Sequence, residues 1–99
     1  MFDELKPVFV DHVPRELEQG VLYVSEKYET AIHLCACGKC GWKTVTPFHD
    51  GATGWNYTRT ADDKITLSPS IGNQQFPCKS HYFIQANKVV WCDDTPGRN

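Results

Sequence analysis

The sequence predicts a mostly β fold, a single small domain of short antiparallel strands, about six to eight in number by their strand and turn signals. Three observations carry this. β-branched and aromatic residues recur along the chain, and Gly, Pro, Asn and Asp punctuate them every few positions. Long apolar patterns at helical spacing are absent. Cysteines gather in Cys35-Ala36-Cys37-Gly38-Lys39-Cys40, and Cys78 follows later. A chain of 99 residues buries a smaller fraction of its surface than a large one, so a staple beyond the apolar core is expected.

The elements follow in order. Val8-Phe9-Val10 is the first strand. Pro14 to Gly20 reads as one helical turn, with Pro at its first position and Gly at its exit. Val21–Val24 is the second strand, and Thr30–Cys35 is a third that alternates: Ile32 and Leu34 share one face, His33 and Cys35 the other. Cys37-Gly38-Lys39-Cys40-Gly41 is a tight turn whose glycines suit a backbone wrapped around a metal. Lys43–Thr46 is the fourth strand. Trp55–Arg59 and Lys64–Leu67 form a hairpin around Thr60–Asp63. His81–Gln85 and Val89–Trp91 form the last one, turning at Ala86-Asn87-Lys88. Residues 93–99 are polar and read as a loose tail. No repeat or low-complexity linker divides the chain, so residues 1–99 are taken as one domain.

Composition excludes several classes. The formal net charge is -2 and no basic stripe appears, which removes the electrostatic support for nucleic-acid binding. The start Met1-Phe2-Asp3-Glu4-Leu5-Lys6 has neither the basic nor the apolar segment of a secretory signal. No apolar run approaches the length of a membrane span. A cytoplasmic protein with reduced thiols is expected. Five cysteines, an odd number, suit metal binding plus one spare better than a disulfide framework.

Soft thiolates point to zinc, which takes four ligands in a structural site. Cys35 and Cys37 can point one way from a strand end, and Cys40 returns after the turn. Cys78 is the first choice for the fourth ligand, with Cys92 and His33 in reserve. The competing readings are separate thiols packed as small apolar groups, or a redox pair, although no Cys-x-x-Cys opens a helix.

The second informative stretch is Leu67-Ser68-Pro69-Ser70-Ile71-Gly72-Asn73. Pro69 is expected to end the strand and leave Ser70 on a loop, with Gly72 allowing an unusual backbone. Backbone amides at Ile71 and Gly72, with the Asn73 side chain, would line an oxyanion site. A serine nucleophile needs a base, and His81 is the nearest histidine. Ser68 and Ser80 are competing hydroxyls, and His33 would orient His81 or act as a second base. The plainer reading is a turn, because Ser, Pro, Gly and Asn are all turn residues. No carboxylate stands out as a third member: Asp50, Asp62 and Asp63 sit in turns, and His12 and His49 read as solvated. The late aromatic residues Trp55, Tyr57, Phe76, Tyr82, Phe83 and Trp91 read as core before they read as a peptide groove.

Four blocks in fixed order, His33-Leu34-Cys35-Ala36-Cys37-Gly38, Pro69-Ser70-Ile71-Gly72-Asn73, Pro77-Cys78-Lys79-Ser80-His81-Tyr82-Phe83-Ile84 and Val89-Val90-Trp91, resemble a small bacterial zinc-binding family. Its members are similar to deubiquitinase-like serine peptidases linked to ubiquitin-like conjugation operons. The resemblance covers roughly the central and C-terminal two-thirds of the chain, on motifs that are specific together. It implies structural zinc on Cys35, Cys37, Cys40 and Cys78, Ser70 as nucleophile and His81 as base, supported by Gly72, Asn73 and His33. It implies a ubiquitin-like protein or its conjugates as partner, beside E1-like and E2-like proteins, with no nucleic acid and no membrane. Gln74 stands where an aromatic residue is common in that family, and Cys92 is a spare thiol.

The leading expectation is thus a serine peptidase that cleaves after the C-terminus of a ubiquitin-like protein. A non-catalytic, zinc-stapled binding module for the same partners is the alternative. A zinc hydrolase with His33 or His81 replacing one thiolate is a third.

Overall fold

The computed structural model describes residues 1–48, 54–73, 76–93 and 95. The expectations placed on His49, Asp50, Gln74, Asp94 and residues 96–99 lie outside them. Among the described residues there are eight strands and no helix, arranged as two four-stranded sheets. The first sheet has the order β1 (Lys6–Phe9), β2 (Val21–Ser25), β3 (Thr30–Leu34), β4 (Lys43–Pro47). The second has β5 (Asn56–Arg59), β6 (Ile65–Gly72), β7 (His81–Gln85), β8 (Lys88–Trp91). All neighbours are antiparallel except β1 and β2, which run parallel with Lys6 opposite Val21.

Most strands form where branched and aromatic residues alternate with polar ones. In β3 the face carrying Ala31 and His33 is buried, and Cys35 continues it beyond the strand. In the second sheet Ile65, Leu67, Ile71, Tyr82, Ile84, Val89 and Trp91 turn inward and meet Leu22, Val24 and Ala31 of the first. Residues 3–5 tie the sheets along one seam, through Val89 N–H to the Asp3 carbonyl and Leu5 N–H to the Asn87 carbonyl, each 2.8 Å. Leu5 is fully buried there. Across the other seam Trp55 N–H donates to the Pro47 carbonyl at 2.9 Å, and Phe48 stacks on Tyr57. The β7–β8 hairpin closes on Ala86 and Asn87, both at positive φ (50° and 70°), which matches the twist of the strands it joins.

Three sequence expectations are corrected. Residues 14–20 form no helical turn. One turn cannot offset its own nucleation, and the segment is held instead by Glu18 N–H on the Tyr23 hydroxyl and Lys6 N–H on the Gly20 carbonyl. Pro69 does not end a strand, because β6 runs through it to Gly72. The ladder is irregular between Leu67 and Ile71, and in such a bulge a proline without N–H is tolerated. Gly72 is absent from the positive-φ positions and lies in extended strand. Gly38 (φ 76°) and Gly41 (φ 69°), by contrast, supply the left-handed backbone of the cysteine turn.

Candidate active site

The cysteine turn grows out of the β3–β4 connection, closed at its base by Cys35 N–H on the Trp42 carbonyl. Cys78 arrives on the segment that enters β7. The sulfurs of Cys35, Cys37, Cys40 and Cys78 all lie within 4.8 Å of one another. Cys35 and Cys78 are 3.5 Å apart, and Cys78 and Cys40 3.7 Å. Four thiolates at the usual zinc–sulfur length stand about 3.8 Å apart around a tetrahedral ion, whereas disulfide sulfurs stand about 2 Å apart. All five cysteines are free thiols, so the spacing fits a shared metal. No histidine belongs to this group among the described residues.

The local chemistry favours thiolates. Burial alone would push the Cys37 thiol up, but the N–H groups of Cys40 and Lys39, 3.3 and 3.4 Å from its sulfur, bring it down to about 7. Burial raises Cys35, and it raises Cys40 to about 12. Without a cation the four thiols cannot all ionise side by side. A divalent ion removes that conflict.

Beneath the cluster a buried polar network joins the two sheets. Ser80 Oγ lies 3.1 Å from Cys35 Sγ and accepts from Asn73 Nδ2 at 3.0 Å. Asn73 Nδ2 also lies 3.4 Å from the Tyr82 hydroxyl. Thr44 Oγ1 donates to Asn73 Oδ1, and His33 Nε2 sits 2.7 Å from the Tyr82 hydroxyl. Burial drives His33 down to about 4, so it is neutral at neutral pH. Its Nδ1 has no hydrogen-bond partner among the described residues.

Ser70 and His81 meet on the other face of this plug. Ser70 Oγ is 2.8 Å from His81 Nε2, and both residues are half-buried. Gly72 is paired with His81 across the β6–β7 ladder. A Cβ on Gly72 would lie in ordinary contact with the His81 ring, at 3.9 Å. The other serines are placed differently. Ser80 is fully buried and engaged by Cys35 and Asn73, and Ser68 lies opposite Asn56 of β5. Asn73, expected near an oxyanion, has its side chain turned into the buried network, and its backbone N–H goes to the Ser80 carbonyl at 2.7 Å.

Thr95 is a residue that sequence reading missed. It is buried, accepts from His81 N–H at 2.9 Å and donates to the His81 carbonyl at 2.8 Å through its hydroxyl. Cys92 N–H reaches the same carbonyl, and Thr95 N–H closes back on the Cys92 carbonyl. Thr95 and Cys92 thus both hold the backbone of His81. Only the polar character of residues 93–99 was visible in the sequence, and it pointed to the opposite behaviour. Among the aromatic residues, Tyr82 and Trp91 are core, Trp55, Tyr57 and Phe76 pack partly against it, and Phe76 meets the exposed Trp42 ring at 5.3 Å.

The model of one protein family, described as "Bacterial ubiquitination-like system serine protease (BubE)", matches residues 9–92. No curated protein and no solved structure matches the chain significantly.

Proposed function

Because the chain belongs to this family of serine proteases of bacterial ubiquitination-like systems, we propose that it cleaves after the C-terminus of a ubiquitin-like protein. It would mature a precursor or release the modifier from a conjugate. The observation that carries this reading is the 2.8 Å contact of Ser70 Oγ with His81 Nε2, the geometry a nucleophile and its base require.

The His81 imidazole accepts the Ser70 proton through Nε2 as Oγ bonds to the carbonyl carbon. The tetrahedral oxyanion forms where a backbone N–H can meet it. His81 then returns the proton to the leaving amine as the carbon–nitrogen bond breaks. Water, deprotonated by His81, releases the acyl group and restores Ser70. Gly72 is our assignment for the oxyanion donor, with Asn73 and His33 supporting from below. A third, orienting carboxylate is to be sought among the residues that follow Cys92 in sequence, Asp93 and Asp94. The metal on Cys35, Cys37, Cys40 and Cys78 is, in our reading, a structural zinc. Four thiolates leave no open position for water, so its work is to hold the entry to β7. Conjugation enzymes of the same system are the further partners this reading implies.

The test incubates a ubiquitin-like precursor, encoded beside the chain, with wild type, Ser70→Ala and His81→Ala. Cleavage by wild type alone is expected. Cleavage that survives Ser70→Ala would sink the serine mechanism, and tight binding of the precursor without cleavage by wild type would leave a binding module. Asp93→Asn and Asp94→Asn, assayed alike, should include one variant with lowered kcat at unchanged KM.

A further inference from the structure

Trp42 is 52% exposed, whereas Trp55 and Trp91 belong to the core or pack against it. Its ring meets Phe76 at 5.3 Å, and two turns fix that contact. Trp42 follows the cysteine turn, and its carbonyl takes the Cys35 N–H. Phe76 opens a second turn, closed by Lys79 N–H on the Phe76 carbonyl at 3.0 Å. The Cys40 and Cys78 sulfurs, 3.7 Å apart, bring the two turns together. Lys39, Lys43 and Lys79 flank the rings: all are exposed, and each stands within three residues of one ring. Among the described residues none of the three is in an ion pair, whereas Arg59 is paired with both Glu26 and Asp63. Residues 31–48 and 65–92 contain no Asp or Glu, although the chain carries 12 acidic residues against 10 Lys and Arg. Even four thiolates on a divalent ion leave fewer negative charges than these three ammonium groups supply. The face is thus cationic around an aromatic centre, on a chain of net charge -2. It also adjoins the candidate site, because Lys79 stands two residues before His81, at most about 7 Å along the chain. Trp42 precedes β4, about 17 Å along the strand from Pro47, where Trp55 N–H joins the sheets.

We propose that this face docks the folded body of the ubiquitin-like partner, at an acidic patch with an apolar centre. A tail cleaved at Ser70 carries the modifier's body on one side of the scissile bond and the leaving group on the other. Precursors and conjugates share the modifier and differ in what leaves, so a fixed surface beside the site fits the modifier. Trp42 supplies the kind of aromatic anchor that dominates interface energetics. The lysines attract acidic residues, speed encounter and set orientation. This rests on the serine-protease reading for the partner's identity. It adds a contact away from the scissile bond that selects the modifier itself.

The experiment compares the intact ubiquitin-like precursor, encoded beside the chain, with a short fluorogenic amide of its tail. Wild type, Trp42→Ala and Lys43→Glu are assayed, each variant first shown to match wild type in metal content and melting temperature. Trp42→Ala should raise KM for the precursor by about tenfold or more at unchanged kcat, with kcat/KM for the tail amide within about twofold of wild type. Lys43→Glu should raise the precursor KM several-fold at low ionic strength, and the difference should close in about 1 M salt, where charges are screened beyond about 3 Å. An unchanged precursor KM in Trp42→Ala, or an equal loss on both substrates, overturns the docking face. A Lys43→Glu effect that salt leaves undiminished overturns the acidic partner. Self-association of the chain alone that Trp42→Ala abolishes would give the face to a second copy instead. A fluorophosphonate, which carries no modifier, separates the two readings. If it labels Ser70 and both proteins cleave the precursor with equal KM, the docking face is wrong and the protease stands. If wild type neither cleaves nor is labelled, yet binds the precursor more tightly than Trp42→Ala, the docking face stands and the protease falls.

Discussion

The cysteine cluster and the Ser70–His81 pair are built on neighbouring stretches of chain and behave oppositely. The cluster is closed: Cys35 and Cys37 are buried, and the surrounding N–H, hydroxyl and amide groups all point at sulfur. The pair is open: Ser70 and His81 are half-buried, and Gly72 beside them is exposed. Both depend on the segment Cys78–His81, in which Cys78 and Ser80 face the cluster and His81 faces Ser70. Saturated polar groups make a staple, and a polar group left with capacity for a partner makes a site. Substitutions should therefore separate into those that lower stability and those that lower only chemistry.

The largest separation is expected at the two ends of this contrast. Ser70→Ala and His81→Ala should each lower kcat by about 10³-fold or more, as removal of a nucleophile or its base does elsewhere, with the thermal midpoint of Ser70→Ala close to wild type. If the Ser70→Ala midpoint fell steeply, Ser70 would be structural and the contrast would fail. Cys35→Ser, or removal of metal by a chelator, should instead destabilise the fold by several kcal/mol, because structural-metal affinity is folding free energy. Against a typical total of about 5–15 kcal/mol, that lowers the melting temperature steeply. Elemental analysis of wild type should find about one zinc per chain. A metal-free preparation with an unchanged melting temperature would remove the staple from the model of the site.

The buried network between cluster and pair gives the next test. Tyr82→Phe deletes the hydroxyl shared by His33 and Asn73, and Ser80→Ala deletes the one shared by Cys35 and Asn73. Each leaves a buried polar partner unpaired, which costs about 1–3 kcal/mol. Denaturant midpoints should report that loss, while activity per folded molecule of Ser80→Ala stays within a few-fold of wild type. Abolished cleavage in a folded Ser80→Ala would transfer the nucleophile from Ser70 to Ser80.

The parts of the fold set by local chemistry were legible in the sequence. Alternation located β2, β3, β7 and β8, and the spacing of Cys35, Cys37 and Cys40 with Cys78 named the cluster, because thiol chemistry and glycine placement leave few other readings. Ser70 and His81 came from residue type and from a family resemblance. Their 2.8 Å contact depends on the β6–β7 register, which no local rule supplies. Two errors share one physical cause. Pro69 looked like a strand end, and Thr95 stood in a polar run, residues 93–99, that read as loose, since local propensity sees a missing N–H or a polar run. A bulge absorbs Pro69, and the Thr95 hydroxyl is anchored to His81, a partner 14 residues away. Tertiary pairing overrides propensity at both places, and both adjoin the candidate site. The parallel β1–β2 pair was missed for a similar reason: alternation marks a strand but carries no direction.

The smallest effect is expected at the fifth cysteine, and it sharpens the contrast within one residue type. Cys92 is half-buried and stands outside the four-sulfur group. The backbone N–H at this position bonds the His81 carbonyl at 2.9 Å, and a serine there keeps that bond. Cys92→Ser should therefore retain about one zinc per chain on the four-ligand argument. Cleavage should match wild type, in contrast to Cys35→Ser in the same assay. Loss of metal in Cys92→Ser would make it a ligand, and one of Cys35, Cys37, Cys40 and Cys78 would then be the spare thiol. The open position that this reading denies to the metal would have to be reconsidered with it.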